Sequence, residues 1–276
     1  MTLRRLAISF FAAIICCLPA MTRLAHAIEM ETALQGAVSI LPSGDRDLEV
    51  NLGLGLFQRP EFLGAEDYKT SLLPLIDIEY RGRLFASTQR GLGLFLFDTG
   101  NFRAGPRITF DEGRDSSDYD LTRNLADIDP SAEVGLYFES YLGWLRVKGD
   151  IRKGVGGGHQ GALARLDMAT AIRAGARDTL FLGVNVTAAD QSYMEAYFGV
   201  PTARATPQVP AFSAKAGPRD ANVYASFVHS FQGGMYLSID GGAGRLLGDA
   251  ETSPIAGTLD QVLTQFYLGT VIGYRF

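Results

Sequence analysis

From residue 48 onward, apolar side chains recur at every second position, one segment after another. Leu48, Val50, Leu52, Leu54 and Leu56 alternate with Glu49, Asn51, Gly53, Gly55 and Phe57. Phe102, Ala104, Pro106, Ile108 and Phe110 alternate with Arg103, Gly105, Arg107, Thr109 and Asp111. Ala164, Leu166, Met168, Thr170 and Ile172 alternate with Arg165, Asp167, Ala169, Ala171 and Arg173. A period of two belongs to a strand, which shows successive side chains to opposite faces. The pattern predicts twelve such strands between Leu48 and Phe276. Most turns that follow an even-numbered strand are short, and most connections that follow an odd-numbered one are long. That sorting matches a transmembrane antiparallel outer-membrane β-barrel, with short periplasmic turns and longer extracellular loops. A soluble β-sandwich has no reason to sort its loops this way.

The final stretch, FYLGTVIGYRF, fits the same reading. Phe266, Leu268, Thr270, Ile272, Tyr274 and Phe276 share one face. A tilted strand needs roughly 9–11 residues to cross a bilayer. Phe266, Leu268, Tyr274 and the last residue, Phe276, are therefore expected to form a signal read by the barrel-assembly machinery.

The phase of the charges sets the interior. Arg103, Arg107, Asp111, Glu133, Glu139, Arg146, Lys148, Asp150, Arg152, Arg165, Asp167 and Arg173 all fall on the non-apolar phase. An Arg or Lys facing lipid at mid-depth costs about 2–4 kcal/mol, so these twelve are expected to line the lumen. Both signs are present and can pair across it.

Residues 1–27 read as a cleaved signal peptide: Arg4 and Arg5, an apolar run from Leu6 to Ala20, then Ala25-His26-Ala27. The apolar run is short for a retained helical anchor. Ile15 before Cys16 does not fit a lipoprotein signal. Residues 28–47 are expected to be a periplasmic extension and residues 48–276 the barrel. Both cysteines lie in the signal, so the mature chain has neither a disulfide framework nor a thiol ligand. It carries 22 basic and 30 acidic residues, a balance that argues against nucleic acid as a partner. The full chain has 47% hydrophobic residues and 32 glycines, and no further apolar run of helical-span length follows residue 27.

Few residues suggest chemistry. His159 lies in GVGGGHQG, Gly154 to Gly161, which lacks the Lys-Ser/Thr of a phosphate loop and reads as a flexible extracellular loop. A Ser-His esterase in the barrel wall has no recognisable partner set around His159 or His229. Asp115, Asp118, Asp120, Asp127 and Asp129 do not match a calcium loop and read as a solvated outer loop. A weak divalent bridge from them to lipopolysaccharide is the minor alternative. No cofactor, metal ligand or catalytic residue is assigned. Tyr193, Met194, Tyr197, Phe198 and Val200 are unusually apolar for the long loop from Asp190 to Asp220. They are expected to fold inward as a plug, or else to mark a contact surface.

Several segments together resemble one family, the MltA-interacting protein family (MipA/OmpV). They are PEFLGAEDY at Pro60 to Tyr68, FRAGPRITFDEGRD at Phe102 to Asp115 and VGGGHQG at Val155 to Gly161. YMEAYFGV at Tyr193 to Val200, GRLLGDAETSPI at Gly244 to Ile255 and the terminal GYRF complete the set. The resemblance implies a non-enzymatic barrel in the cell outer membrane, surrounded by lipid and lipopolysaccharide. It implies a scaffold role that joins a lytic transglycosylase and a penicillin-binding protein in peptidoglycan remodelling. A porin-like or solute-uptake barrel, or a surface adhesin, is the alternative that the family also contains.

Overall fold

A computed structural model describes residues 47–61, 63–65, 68–118, 120–256 and 264–276. The expected signal peptide and nearly all of the N-terminal extension lie outside the described residues. The strands are β1 (Leu48–Pro60), β2 (Tyr68–Tyr80), β3 (Leu84–Ser87), β4 (Gly91–Leu94, resuming at Phe97–Asp98), β5 (Phe102–Asp111) and β6 (Ser131–Leu142). Then come β7 (Leu145–Val155), β8 (Ala162–Arg173), β9 (Asp178–Ala189), β10 (Gly217–Ser230), β11 (Met235–Leu246) and β12 (Thr264–Arg275). Each pairs antiparallel with its sequence neighbours, and β12 pairs with β1, Ile272 opposite Leu54. The result is a closed, twelve-stranded antiparallel β-barrel.

The two faces separate as the alternation predicts. Leu52, Leu54, Leu56, Leu72, Leu136, Ile151, Leu268 and Ile272 stand exposed on the outside. So do Phe266, Tyr274 and Phe276 of the terminal segment. An apolar belt of this extent needs lipid to cover it. Inside, one side of the lumen, along β1, β2 and β9 to β12, is filled by Phe57, Leu73, Leu75, Phe181, Val228, Tyr236 and Val271. Glycine makes room for the rings. A Cβ at Gly269 would meet the Phe57 ring at 2.1 Å, and one at Gly273 would meet the Tyr236 ring at 2.2 Å. Aromatic side chains laid over strand glycines in this way pin the register of neighbouring strands.

Two prolines mark local departures. β3 pairs only with Asp77–Tyr80 of β2. The Ile76 carbonyl accepts from the Thr88 amide, so the backbone of Pro74, two residues away, faces the same side, beyond the end of that short hairpin. A missing amide hydrogen costs nothing there. In β5, the Ala104 carbonyl accepts from the Leu96 amide at 2.9 Å, so Pro106 also turns its backbone toward β4. It has no hydrogen to give. β4 answers with a bulge: Gly93 pairs with Arg107, but Phe97 pairs with Ala104, a register change of one. The regular alternation of the other strands is therefore interrupted between Leu92 and Phe97. Phe95 is buried in the lumen, whereas Phe97 faces outward.

The turns after β2, β4, β6, β8 and β10 are short, which identifies the periplasmic end. Arg81 (φ 53°) and Gly82 (φ 62°) make one of them with left-handed backbone. The β6–β7 turn is Gly143-Trp144, with Leu142 already paired to Leu145.

Candidate functional site: a charged lumen under a helical cap

The lumen side chains predicted from phase are brought together. Arg107, Asp111, Glu133, Glu139, Arg146, Lys148, Asp150, Arg152, Arg165 and Asp167 are buried, each at most 7% exposed. Arg103 is half-buried. Arg173 is exposed, because its strand has reached the periplasmic rim by that residue.

These groups form networks. Arg90 bonds Asp77 at 2.7 Å and Glu79 at 3.3 Å. Arg103 bonds Glu79 at 2.6 Å and also Glu139. The rings of Phe85, Phe95 and Tyr137 cluster beneath, with the Arg90 guanidinium 4.6 Å over Phe85 and that of Arg103 4.3 Å over Phe95. A second network climbs toward the outer mouth. Arg107 bonds Asp150 at 2.8 Å, Asp150 accepts from Arg152 at 2.9 Å, and Arg152 bonds Glu133 at 2.9 Å. A third joins Arg146 to Asp167 at 3.2 Å, with the Tyr224 hydroxyl donating to Asp167 at 2.8 Å. Lys148 stands in register between Glu139 and Asp167. Buried charges are tolerated only when paired and hydrogen-bonded in this manner.

The outer mouth is covered. The long loop after β9 contains α1 (Gln191–Phe198), and the connection after β11 contains α2 (Gly248–Thr252). Asp190 caps α1, accepting from the Tyr193 amide at 2.9 Å. Tyr193, Met194 and Phe198 pack with Leu163, Leu246 and Ala250. Val200 and Val209 pack with Leu125 and Ile255, so three outer connections share one small core. The apolar residues of this segment turn inward, but as a cap packed with the other outer connections, and the segment read as loop holds a helix. In the acidic loop Asp115, Asp120, Asp127 and Asp129 are exposed, as expected, while Leu125 and Ile128 turn inward and are buried. Donation from the Ser116 hydroxyl and then its amide holds the Asp127 carboxyl below its usual range.

His159 corrects another expectation. Its segment is a tight turn, and its side chain is buried against the cap, 3% exposed, because Gly154 leaves space under the ring. The ring stands edge-on to Tyr193 at 4.8 Å. Burial pushes the Tyr193 phenol up, against the pull of Arg219. Tyr197 donates to Asp111 at the end of β5. This bond to a carboxylate is one of the cap's polar ties to the wall. Tyr197→Phe is expected to weaken cap docking by about 1.5–3 kcal/mol. Limited proteolysis within residues 190–216 should speed up by at least tenfold, and an unchanged rate would refute the tie.

Periodicity did not single out Arg90, His159, Tyr137, Tyr193 or Tyr224. Arg90 and His159 sit in connections, where phase is undefined. Tyr193 also lies in a connection, whereas Tyr137 and Tyr224 share the inward phase of their strands but are not charged.

The solved structures similar in fold are outer-membrane proteins. They include a KdgM porin (8% identity, 82% of this chain and 99% of that one, TM-score 0.42). OmpT of Vibrio cholerae is similar at 8% identity over 83% of this chain and 98% of its own, with a TM-score of 0.41. An outer-membrane channel from Pseudomonas putida F1 is similar at 12% identity over 86% and 100%, with a TM-score of 0.42. No curated protein sequence matches the chain. The sequence model of the MltA-interacting protein MipA matches residues 52–276, nearly the whole described barrel, and the chain therefore belongs to the MipA family of outer-membrane barrel proteins.

Proposed function

We propose that this protein is a closed, non-enzymatic barrel that anchors peptidoglycan-remodelling enzymes to the outer membrane. The observation that carries this reading is the state of the lumen. Its charges are engaged with one another, as in Arg90–Asp77, Arg107–Asp150 and Arg146–Asp167, rather than arrayed along an open path. A cap of three connections covers the outer mouth. Anchoring makes use of such a barrel; solute passage does not. The family's name supplies the partner class, since MltA is a lytic transglycosylase. A penicillin-binding protein would complete the complex. The surface offered is the periplasmic end. It carries the Arg81–Asp47 ion pair, exposed Leu142 and Trp144, and exposed Arg173 and Phe231, and residues 28–47 would add to it. Phe266, Leu268, Tyr274 and Phe276 face outward on the terminal strand, where the barrel-assembly machinery would read them.

Two measurements test this together. In planar bilayers the refolded mature protein is expected to give no steady conductance steps. Steps that shift when Arg103 and Arg107 are neutralised would reassign the barrel to solute passage. Detergent-solubilised protein is expected to retain a lytic transglycosylase in pull-down. Retention should fall when residues 28–47 are deleted and the turns at 81–83 and 143–144 are replaced. Unchanged retention would remove the proposed surface.

A further inference from the structure

We propose that Asp111, Glu133 and His159 form a divalent-cation site, of the kind that takes Zn2+ or Mn2+, which clasps the helical cap to the barrel wall. The three side chains come from the end of β5, from β6 and from the β7–β8 turn, and all are buried. Each carboxylate is held by one oxygen and offers the other. Asp111 Oδ1 accepts from the Gly113 amide at 2.9 Å and from the Tyr197 hydroxyl. Its Oδ2 faces His159 Nε2 at 3.9 Å. Glu133 Oε2 accepts from the Thr109 hydroxyl at 2.8 Å and bonds Arg152 at 2.9 Å. Its Oε1 faces the same Nε2 at 3.5 Å. Glu133 Oε1 and His159 Nε2 are both shut away from solvent, and neither makes a hydrogen bond of ordinary geometry, the 3.5 Å approach to each other being long for one.

The three ligand atoms lie within 4.8 Å of one another, with 3.5 Å and 3.9 Å for the two pairs that include His159, so a small inward shift of a carboxylate would close the set around one ion. A 3.5 Å separation exceeds ordinary N–H···O distances of about 2.7–3.2 Å. Two ligands each about 2.0–2.2 Å from one ion, at a near-tetrahedral angle, stand about 3.3–3.6 Å apart. One imidazole with two carboxylates suits borderline first-row divalent ions more than Mg2+. Arg152 is shared between Glu133 and Asp150, and a dication would offset charge left on the two carboxylates. The bonds from Thr109, Gly113, Tyr197 and Arg152 orient the free oxygens, as outer-shell partners do at metal sites.

The ring's other nitrogen adds a consequence. His159 Nδ1 accepts from the Gly161 amide at 3.0 Å, which places the neutral ring's proton on Nε2. Ligation through Nε2 moves that proton to Nδ1, and the Gly161 amide loses its acceptor. Loading therefore reaches the 156–161 turn. It also reaches α1, because a Cβ at Gly161 would stand 2.2 Å from the Tyr193 amide nitrogen.

The test is calorimetric titration of chelator-stripped, full-length mature barrel in detergent with ZnCl2 and with MnCl2, MgCl2 serving as the control. One Zn2+ or Mn2+ per chain is expected, with micromolar or tighter binding and little response to Mg2+. His159→Gln and Asp111→Asn should each weaken binding at least tenfold, judged on protein whose heat-modifiable gel shift shows it is folded. Absence of saturable binding to wild-type protein, or equal binding to H159Q, would overturn the site. If the variants do not fold, the wild type alone decides. Visible absorption from added Co2+ should saturate at one equivalent and disappear on Zn2+ addition, and a linear, unsaturated response would overturn the proposal. Zn2+ should also slow proteolysis of residues 190–216. A bound ion with no such protection would refute the clasp.

Discussion

Asp150→Asn is expected to lower the unfolding free energy of the barrel by about 3–5 kcal/mol, read as a lower urea midpoint for loss of the heat-modifiable form. Asp150 Oδ1 is ion-paired with Arg107 at 2.8 Å and accepts from Arg152 at 2.9 Å. Arg165 stands opposite it across the β7–β8 pair. Three guanidinium groups thus crowd one carboxylate, and the Arg107 side chain is fully buried. Neutralising that carboxylate does not remove the cations, which stay in the lumen with their mutual repulsion less compensated. Losing one partner of a buried pair costs far more than never having the pair. The double variant Asp150→Asn with Arg107→Met is therefore expected to be more stable than Asp150→Asn alone, and a double-mutant cycle measures the coupling. If D150N unfolds at the wild-type midpoint, the ion-pair network does not hold the lumen together.

The same network shows how much could be read from the residues. In a barrel wall, charge cannot face lipid, so alternation alone orients Arg107, Glu133, Asp150 and Arg152 correctly. Which cation meets which anion depends on strand stagger, and stagger leaves no mark in the alternation. Arg90 lies in the β3–β4 connection, yet that hairpin is so short that its tip reaches Asp77 and Glu79. The bulge in β4 is hidden because Phe95, Leu96 and Phe97 are all apolar, so a change of phase alters nothing visible. Pro106 on the facing strand was the available clue. The cap escaped periodicity for another reason. α1 spans only Gln191–Phe198, too short for a helical repeat to stand out. Asp190 as N-cap, with aromatic residues at Tyr193 and Tyr197 one turn apart, was the local signal. The segments that carry the family resemblance converge on this cap: Asp111 and Arg114, His159, Tyr193 to Val200, and the α2 connection. Apart from Phe102–Asp111 and the terminal GYRF, which follow the alternation of β5 and β12, the family segments lie where strand alternation has little to say.

Gly105→Val is expected to prevent formation of the heat-modifiable barrel altogether. Any Cβ at this position would stand 1.7 Å from the Leu94 carbonyl oxygen, 2.8 Å from its carbon and 3.0 Å from the Leu96 nitrogen. All three are backbone atoms, so no rotamer change relieves the clash. The contact exists because Pro106 forces β4 to bulge, and the bulge folds its extra residue over Gly105. β4 joins β5 through few pairs, Leu92 to Ile108, Gly93 to Arg107, Phe97 to Ala104 and Asp98 to Arg103. Displacing the bulge therefore unseats both short runs at once and opens the wall. Phe95 would leave its place beside Phe85 and Tyr137, and Arg103 would lose the ring it covers. A cost above about 4 kcal/mol follows from overpacking against immovable backbone together with loss of that cluster. Gly217→Ala serves as the control, since a Cβ there meets nothing within 4 Å. It is expected to fold as the wild type does. A G105V protein that shows the wild-type gel shift and urea midpoint would mean that β4 can re-register without its bulge, and that Pro106 does not dictate the closure of the barrel.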